Sequence, residues 1–358
     1  MRRRLTWATT VLAVVSVGAL AGAGSAAAAP REFFGLVPQG KTPPPEDIQR
    51  MGRGNVGTVR FLLNWAAVEP QDNQFDFSGL DDYLGDLAAE GIRPLPFVWS
   101  VPRFVSSDSL KMPVGSASDR EQWQAFLREI VGRYGPGGTY WTTVFPTQHP
   151  GEQALPVDTW QIWNEQNAPK HVDKPDPAGY AQLLKISDAA ITAEDPSAEI
   201  ILGGMFGKPT GKGGLKAWSF LKRLYKTKGV KAVFDGVSIH PYSTDVKGIQ
   251  KQIEKVRKVL KKKKDKAADV WITELGWGSK KQGRLGVGKK KQAKLLKQSF
   301  KVLNKKRGKW NIGAVIWYTW RDLGNAPCDW CGSAGLFGQN GFDPKPAWNK
   351  FIRFTGGS

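Results

Sequence analysis

The segment Thr159–Glu165, with the sequence TWQIWNE, is a hydrophobic run that ends directly in a glutamate, and Val270–Trp277, with the sequence VWITELGW, repeats that arrangement around Glu274. Each run has the length and apolar character of a buried strand. A carboxylate at the end of a buried strand is costly to remove from water, so a chain that does this twice is expected to use both groups. For either segment alone, the alternative is a buried glutamate satisfied by neighbouring donors.

Eight strand candidates follow one another along the chain, separated by amphipathic helical patterns. They are Phe33–Val37, Thr58–Asn64, Arg93–Trp99, Thr159–Trp163, Glu199–Gly203, Asp235–His240, Val270–Glu274 and Ile312–Tyr318. The helical patterns include Leu80–Ala89, Glu121–Tyr134, Tyr180–Ala193, Leu215–Tyr225, Val246–Leu260 and Lys289–Leu303. Most of the strands are near-continuous apolar runs, as expected when helices cover both faces of a parallel sheet. This order predicts an α/β fold, a single-domain (β/α)8 TIM barrel.

Two stretches rich in glycine, proline and polar residues, 111–117 and 140–157, predict loops above the barrel mouth. Active sites of such barrels lie at the C-terminal ends of the strands. Glu165 then ends the fourth strand and Glu274 the seventh, so both side chains can face one ligand. Two carboxylates in one cleft are the minimum equipment for cleaving a glycosidic bond.

The residues at these strand ends resemble those of a known group of enzymes. The Asn164-Glu165 pair with the later Glu274 resembles the glycoside hydrolases of clan A, the 4/7 superfamily. Residues 60–70 (RFLLNWAAVEP), 240–242 (HPY) and 317–320 (WYTW) are similar to its second-, sixth- and eighth-strand segments. Within the clan, the chain is most similar to family thirty-nine bacterial enzymes, which include β-xylosidases and exopolysaccharide-cleaving endoglycosidases. It departs from the usual Asn-Glu-Pro by having Gln166.

The resemblance implies a retaining mechanism. Glu165 is then the general acid/base, and an apolar setting beside Trp163 is expected to raise its pKa. Asn164 is expected to bind the sugar 2-hydroxyl. Glu274 is the nucleophile, kept ionised by Arg60, for which a simple ion-paired strand end is the alternative.

Four further residues are candidates for supporting roles. Tyr242 is expected to donate to Glu274, and His240 to bind substrate or Glu274 unless it is a satisfied core imidazole. Trp277 and Trp317 are the preferred sugar platforms, although indole also fills cores. His149 and His171 lack partners at ligand spacing, so no metal site is predicted, and the chemistry requires no cofactor.

The function predicted from these residues is hydrolysis of O-glycosidic bonds in a polysaccharide or oligosaccharide by a monomeric enzyme. The alternative is a non-catalytic carbohydrate-binding barrel associated with the cell envelope. A barrel that only binds has no need for the intact pair of glutamates.

The first 29 residues predict a secretory signal peptide, which makes residues 30–358 the catalytic domain. Arg2–Arg4 precede the apolar run Val11–Leu20, and small residues follow up to Ala29. No later segment is long and apolar enough to span a membrane. The chain is therefore expected to be secreted.

The chain has a net charge of +20 at pH 7, with much of the excess in residues 247–266 and 280–309. A solvated helix surface is one interpretation, and attraction to an anionic polysaccharide is the other. Nucleic acid is not an expected partner, because no nucleic-acid fold signature is present. The two cysteines, Cys328 and Cys331, are expected to form a short disulfide that pins a local turn.

Overall fold

The computed structural model describes residues 29–40, 42–210, 212–326 and 328–358, so the predicted signal peptide lies outside it apart from Ala29. Eight parallel strands form a closed barrel in chain order, in which the last strand pairs with the first. They are β1 (Phe34–Val37), β2 (Thr58–Asn64), β3 (Arg93–Trp99), β4 (Thr159–Asn164), β5 (Glu199–Phe206), β6 (Gly236–His240), β7 (Asp269–Leu275) and β8 (Ile312–Tyr318). The predicted (β/α)8 fold is confirmed.

Helices surround the barrel and connect successive strands. They are α1 (Pro45–Arg53), α2 (Trp65–Val68), α3 (Ser78–Ala89), α4 (Ala117–Tyr134), α5 (Phe145–Gln148), α6 (Pro177–Glu194), α7 (Ala217–Leu224), α8 (Val246–Lys262), α9 (Lys289–Lys305), α10 (Arg307–Trp310) and α11 (Pro346–Thr355). No helix in the described part of the chain is both long and apolar enough to cross a membrane.

Local sequence signals fix where three of the long helices begin. Ser116 and Asp119 form a capping box at the start of α4, in which each side chain accepts a hydrogen bond from the other residue's backbone N–H. Asp176 and Asp245 cap α6 and α8 in the same way, each accepting from a backbone N–H of the first turn.

The apolar residues form two layers, one between barrel and helices and one inside the barrel. The interior layer includes Leu95, Ile201, Trp271 and Ile316. Trp271 fills the space beside Gly236 and Gly313, where an added Cβ would lie 2.8 and 2.7 Å from its ring. Dense filling makes the lower barrel a core, so ligands have access only at the mouth.

The prediction that residues 140–157 form a loop above the mouth is wrong. They connect α4 to β4 and therefore lie at the N-terminal end of the barrel, opposite the mouth. Part of this connection is helical, with a π-helical turn at Tyr140–Val144 followed by α5. The Tyr140 hydroxyl donates to the backbone oxygen of Asp81, which anchors the segment to α3.

Candidate active site

Both glutamates line one cavity of about 310 Å³ at the mouth of the barrel. The cavity is bounded by the loops that follow β4, β5, β7 and β8. Its lining residues include Asn164, Glu165, Lys170, His171, Phe206, Tyr242, Glu274, Arg284, Tyr318 and Trp330. The ends of the fourth and seventh strands thus meet in one site.

An irregular backbone at the end of β4 directs Glu165 into this cavity. Trp163 and Glu165 have φ angles of 70° and 48°, in the left-handed region that bulky residues rarely adopt. The turn sends the Trp163 ring outward against Trp123 of α4, with ring centroids 6.3 Å apart. Asn164, between the two strained residues, faces inward and contacts Arg60.

Arg60 is the central donor of the site. It is fully buried on β2, and its guanidinium donates to Gln161 Oε1 at 2.7 Å, Asn164 Oδ1 at 2.8 Å and Glu274 Oε1 at 2.7 Å. Because arginine only donates, the Asn164 oxygen must face it. This orientation leaves the Asn164 Nδ2 as a donor for a ligand in the cavity.

Glu274 accepts hydrogen bonds from two donors. Besides Arg60 at 2.7 Å, the Tyr242 hydroxyl donates to its other oxygen at 2.7 Å. Burial, followed by the charge of Glu274, raises the pKa of Tyr242 well above its usual range, so this hydroxyl keeps its proton. The pairing between β7 and β8 shifts register between Ile272 and Leu275, an irregularity of the kind that re-aims a side chain.

Glu165 is held by two histidines instead. His240 Nδ1 lies 2.7 Å from Oε1, and His171 Nε2 lies 2.8 Å from Oε2. Burial alone would raise the pKa of Glu165, but the hydrogen bonds from His171 and His240 outweigh it and lower the pKa. The expectation of a raised pKa is therefore wrong, because imidazoles rather than apolar groups contact the carboxylate.

His171 is a site residue that the sequence did not reveal. It lies six residues after Glu165, in the loop between β4 and α6, and its ring is 5.8 Å from that of Trp99. Burial lowers the pKa of His171, but the hydrogen bond to Glu165 and the charges of Glu165 and Glu274 together outweigh it, and the pKa is raised overall. His171 and Glu165 are close in sequence, but they meet only because the backbone turns at Glu165, which has a positive φ angle.

The position of His240 depends on a glycine in the neighbouring strand. His240 contacts Glu165 directly and lies 3.6 Å from Glu274, and its Nε2 is 3.1 Å from Thr273 Oγ1. A Cβ added to Gly204 of β5 would come within 2.0 Å of His240 Nε2. A larger residue at 204 would therefore displace the imidazole from the carboxylates.

The donor set also bears on metal binding. Ligand atoms of Glu165, His240 and Glu274 lie within 4.8 Å of one another, a spacing that a cation could bridge. However, each carboxylate oxygen already contacts a donor or an imidazole nitrogen, and the Arg60 cation lies 2.7 Å from Glu274. The site therefore fits a pair of reacting carboxylates better than a metal centre.

The prediction that Trp277 and Trp317 are sugar platforms is wrong. Both are fully buried and contact each other, with ring centroids 6.0 Å apart. Successive strand residues point to opposite faces, so Trp317 packs towards α9 while its neighbour Tyr318 faces the cavity. The tryptophan that lines the cavity is Trp330, which is partly exposed and packs against Tyr242 with centroids 4.9 Å apart.

The two cysteines hold Trp330 in place. Cys328 and Cys331 form the expected disulfide, with Cα atoms 5.4 Å apart, and both line the cavity. The disulfide closes a four-residue loop that contains Trp330. Its role is thus to shape one wall of the cavity.

Residues 168–341 match the family described as glycosyl hydrolase catalytic core. This stretch, just under half of the chain, is similar to a glycoside hydrolase catalytic core. A second, shorter match, over residues 41–95, is to the family described as beta-galactosidase. The first match includes Glu274 and His171. No curated protein matches the chain significantly.

Solved structures share the fold of this chain. A family 39 glycoside hydrolase from Bacteroides cellulosilyticus has a TM-score of 0.68 and 20% identity, covering 91% of this chain and 64% of its own length. A monomeric beta-xylosidase from Caulobacter crescentus has a TM-score of 0.62 and 18% identity, covering 91% and 69%. Xylanase 10B from Thermotoga maritima has a TM-score of 0.61 and 13% identity, covering 91% and 95%. The chain thus spans less than two thirds of the Bacteroides protein.

Proposed function

We propose that this protein is a secreted glycoside hydrolase that cleaves O-glycosidic bonds with retention of configuration, with Glu274 as nucleophile and Glu165 as acid/base. The observation that carries the proposal is the spacing of the glutamates, whose facing oxygens lie within 4.8 Å. Retention requires carboxyl groups about 5–5.5 Å apart, whereas inversion needs about 6.5–9.5 Å to admit a water. The signal-peptide pattern before Ala29 supports secretion.

In the first step, a Glu274 oxygen attacks the anomeric carbon while Glu165 donates a proton to the departing glycosidic oxygen. A covalent glycosyl-enzyme forms and the leaving group departs as an alcohol. In the second step, Glu165 takes a proton from a water that attacks the anomeric carbon, and Glu274 leaves as a carboxylate. Asn164, oriented by Arg60, donates to the sugar 2-hydroxyl.

Before substrate binds, the residue that carries the catalytic proton depends on the contact between Glu165 and His171. Since the pKa of Glu165 is lowered and that of His171 raised, the proton of this pair resides on His171 before substrate binds. The pair returns it to Glu165 when the glycosidic oxygen needs an acid. His171 thus acts as a proton-holding residue, and Glu165 remains the group that touches the substrate.

Product stereochemistry tests the proposal. The purified protein is screened on xylans, β-glucans, galactans and anionic envelope polysaccharides, and the first product is followed by ¹H NMR. We expect its anomeric configuration to match that of the cleaved bond. An inverted first product would overturn the nucleophile assignment, and binding without any cleavage would favour the carbohydrate-binding alternative.

A further inference from the structure

The cleft holds two cationic side chains that the cleavage chemistry does not use. Lys170 and Arg284 both line the cavity, and both side chains are exposed. Among the described residues, neither of them has a hydrogen bond or ion pair to a carboxylate. Each belongs to the loop that follows one of the two glutamates, Lys170 after Glu165 and Arg284 after Glu274.

The surrounding loops concentrate this positive charge on one side of the barrel mouth. The β5–α7 loop, residues 207–216, has three lysines and the β7–α9 loop, residues 276–288, has two lysines and Arg284, and neither loop has an acidic residue. By contrast, the connection between β2 and α3, residues 65–77, has three acidic residues and no basic one. Asp329, which lies beside Gly283, is outside the cavity lining.

We propose that the natural substrate is a polysaccharide with anionic groups on its sugars, which pair with Lys170 and Arg284 in the cleft. This inference rests on the proposed glycoside hydrolase function and names its substrate class. A cation without a carboxylate partner attracts an anionic group that comes within a few ångströms of it. The guanidinium fork of Arg284 suits the paired oxygens of a carboxylate or a sulfate ester.

The cavity also offers aromatic side chains on which a sugar ring can stack. Trp330, Tyr318 and Phe206 line it with aromatic faces, on which the apolar side of a pyranose can pack. The two cations line the same cavity and belong to loops rather than to strands. A charged substituent on a stacked ring can therefore reach a cation without displacing the ring from the glutamates.

Binding to an inactive variant tests the inference independently of turnover. Glu274→Ala is titrated calorimetrically with oligouronates prepared from alginate, polygalacturonate and glucuronoxylan, and with the same oligosaccharides after carboxyl reduction. We expect at least one native oligosaccharide to bind about tenfold or more tightly than its reduced form, a difference that shrinks as salt rises. Sulfated oligosaccharides form a separate arm, which distinguishes sulfate from carboxylate as the recognised anion.

Matched variants separate the cleft from the overall charge of the protein. In the same inactive background, Lys170→Gln with Arg284→Gln is expected to reduce the preference to about threefold or less. The control, Lys258→Gln with Lys262→Gln, removes the same charge from exposed positions on α8 and should leave the preference intact.

Two outcomes would overturn the inference. One is equal binding of charged and reduced forms in all series, and the other is an equal loss of preference in the control pair. Failure of the proposed function is distinguishable, because it appears as anionic binding that never leads to cleavage by the unmodified enzyme.

Discussion

Glu165 and Glu274 are similarly buried, with side-chain exposures of 8% and 11%, yet their partners differ completely. Glu274 accepts from Arg60 and from Tyr242, two groups that hold their protons near neutral pH. Glu165 contacts the imidazoles of His171 and His240. Burial lowers the pKa of His171, but the hydrogen bond to Glu165 and the charges of Glu165 and Glu274 together outweigh it, and the pKa is raised. The fixed partners suit a permanent anion and the titrating His171 suits a proton carrier. The extent of burial therefore does not distinguish the nucleophile from the acid/base. The chemistry of the groups that contact each glutamate does.

The largest expected effect is at the fixed anion. Glu274→Ala should lower kcat for any substrate on the order of 10⁴-fold or more, because no other group in the site can form the covalent intermediate. Added azide should restore part of the turnover and give a glycosyl azide of inverted configuration, detected by NMR. Rescue also shows that the variant is folded, although Arg60 has lost its buried partner. Full activity without azide would remove Glu274 as nucleophile.

A smaller and more selective effect is expected at the proton carrier. Glu165→Gln should lower kcat/KM by about 10²–10⁴-fold for alkyl glycosides, which need a proton on the leaving oxygen. Dinitrophenyl glycosides need no such proton, so their first step should be nearly unaffected in single-turnover measurements.

A matched control exists at the opposite end of the barrel. Glu199 begins β5, and burial raises its pKa to about 7, so the carboxyl is about half protonated at pH 7 and Glu199→Gln removes only part of a charge there. This variant should keep wild-type rates on both classes of glycoside. An equal loss in Glu199→Gln, or wild-type rates on alkyl glycosides in Glu165→Gln, would contradict the acid assignment.

The sequence was sufficient to predict the barrel, because continuous apolar strands alternate with amphipathic helices along the whole chain. The ends of β2, β3 and β8 match the predicted bounds at both termini. The contacts of Arg60 and Tyr242 with Glu274 were also anticipated, since regular strands place such residues by register alone.

What escaped prediction depends on irregular backbone. The positive φ angles at Trp163 and Glu165 turn one tryptophan outward and bring His171 back to the carboxylate, and no periodicity encodes such a turn. Trp330 was overlooked because it lies on a loop rather than at a strand end. Trp317 could have been assigned to the core, because successive side chains of β8 point to opposite faces and its neighbour Tyr318 faces the cavity.

The smallest expected effect is a change in pH dependence at His171. Because its pKa is raised above the ordinary value of 6.5, His171 keeps its proton just above pH 6.5 and loses it as the pH rises through that higher pKa, where activity should fall. His171→Gln can keep a hydrogen bond to Glu165 but cannot titrate, so the alkaline limb of kcat/KM should move to lower pH by about one unit. His149→Gln is the control, because that ring stacks on Phe145 at the other end of the barrel and should leave both limbs unchanged. An unchanged alkaline limb in His171→Gln would show that His171 only positions Glu165, and the two glutamates would then differ in their hydrogen-bond partners but not in a shared proton.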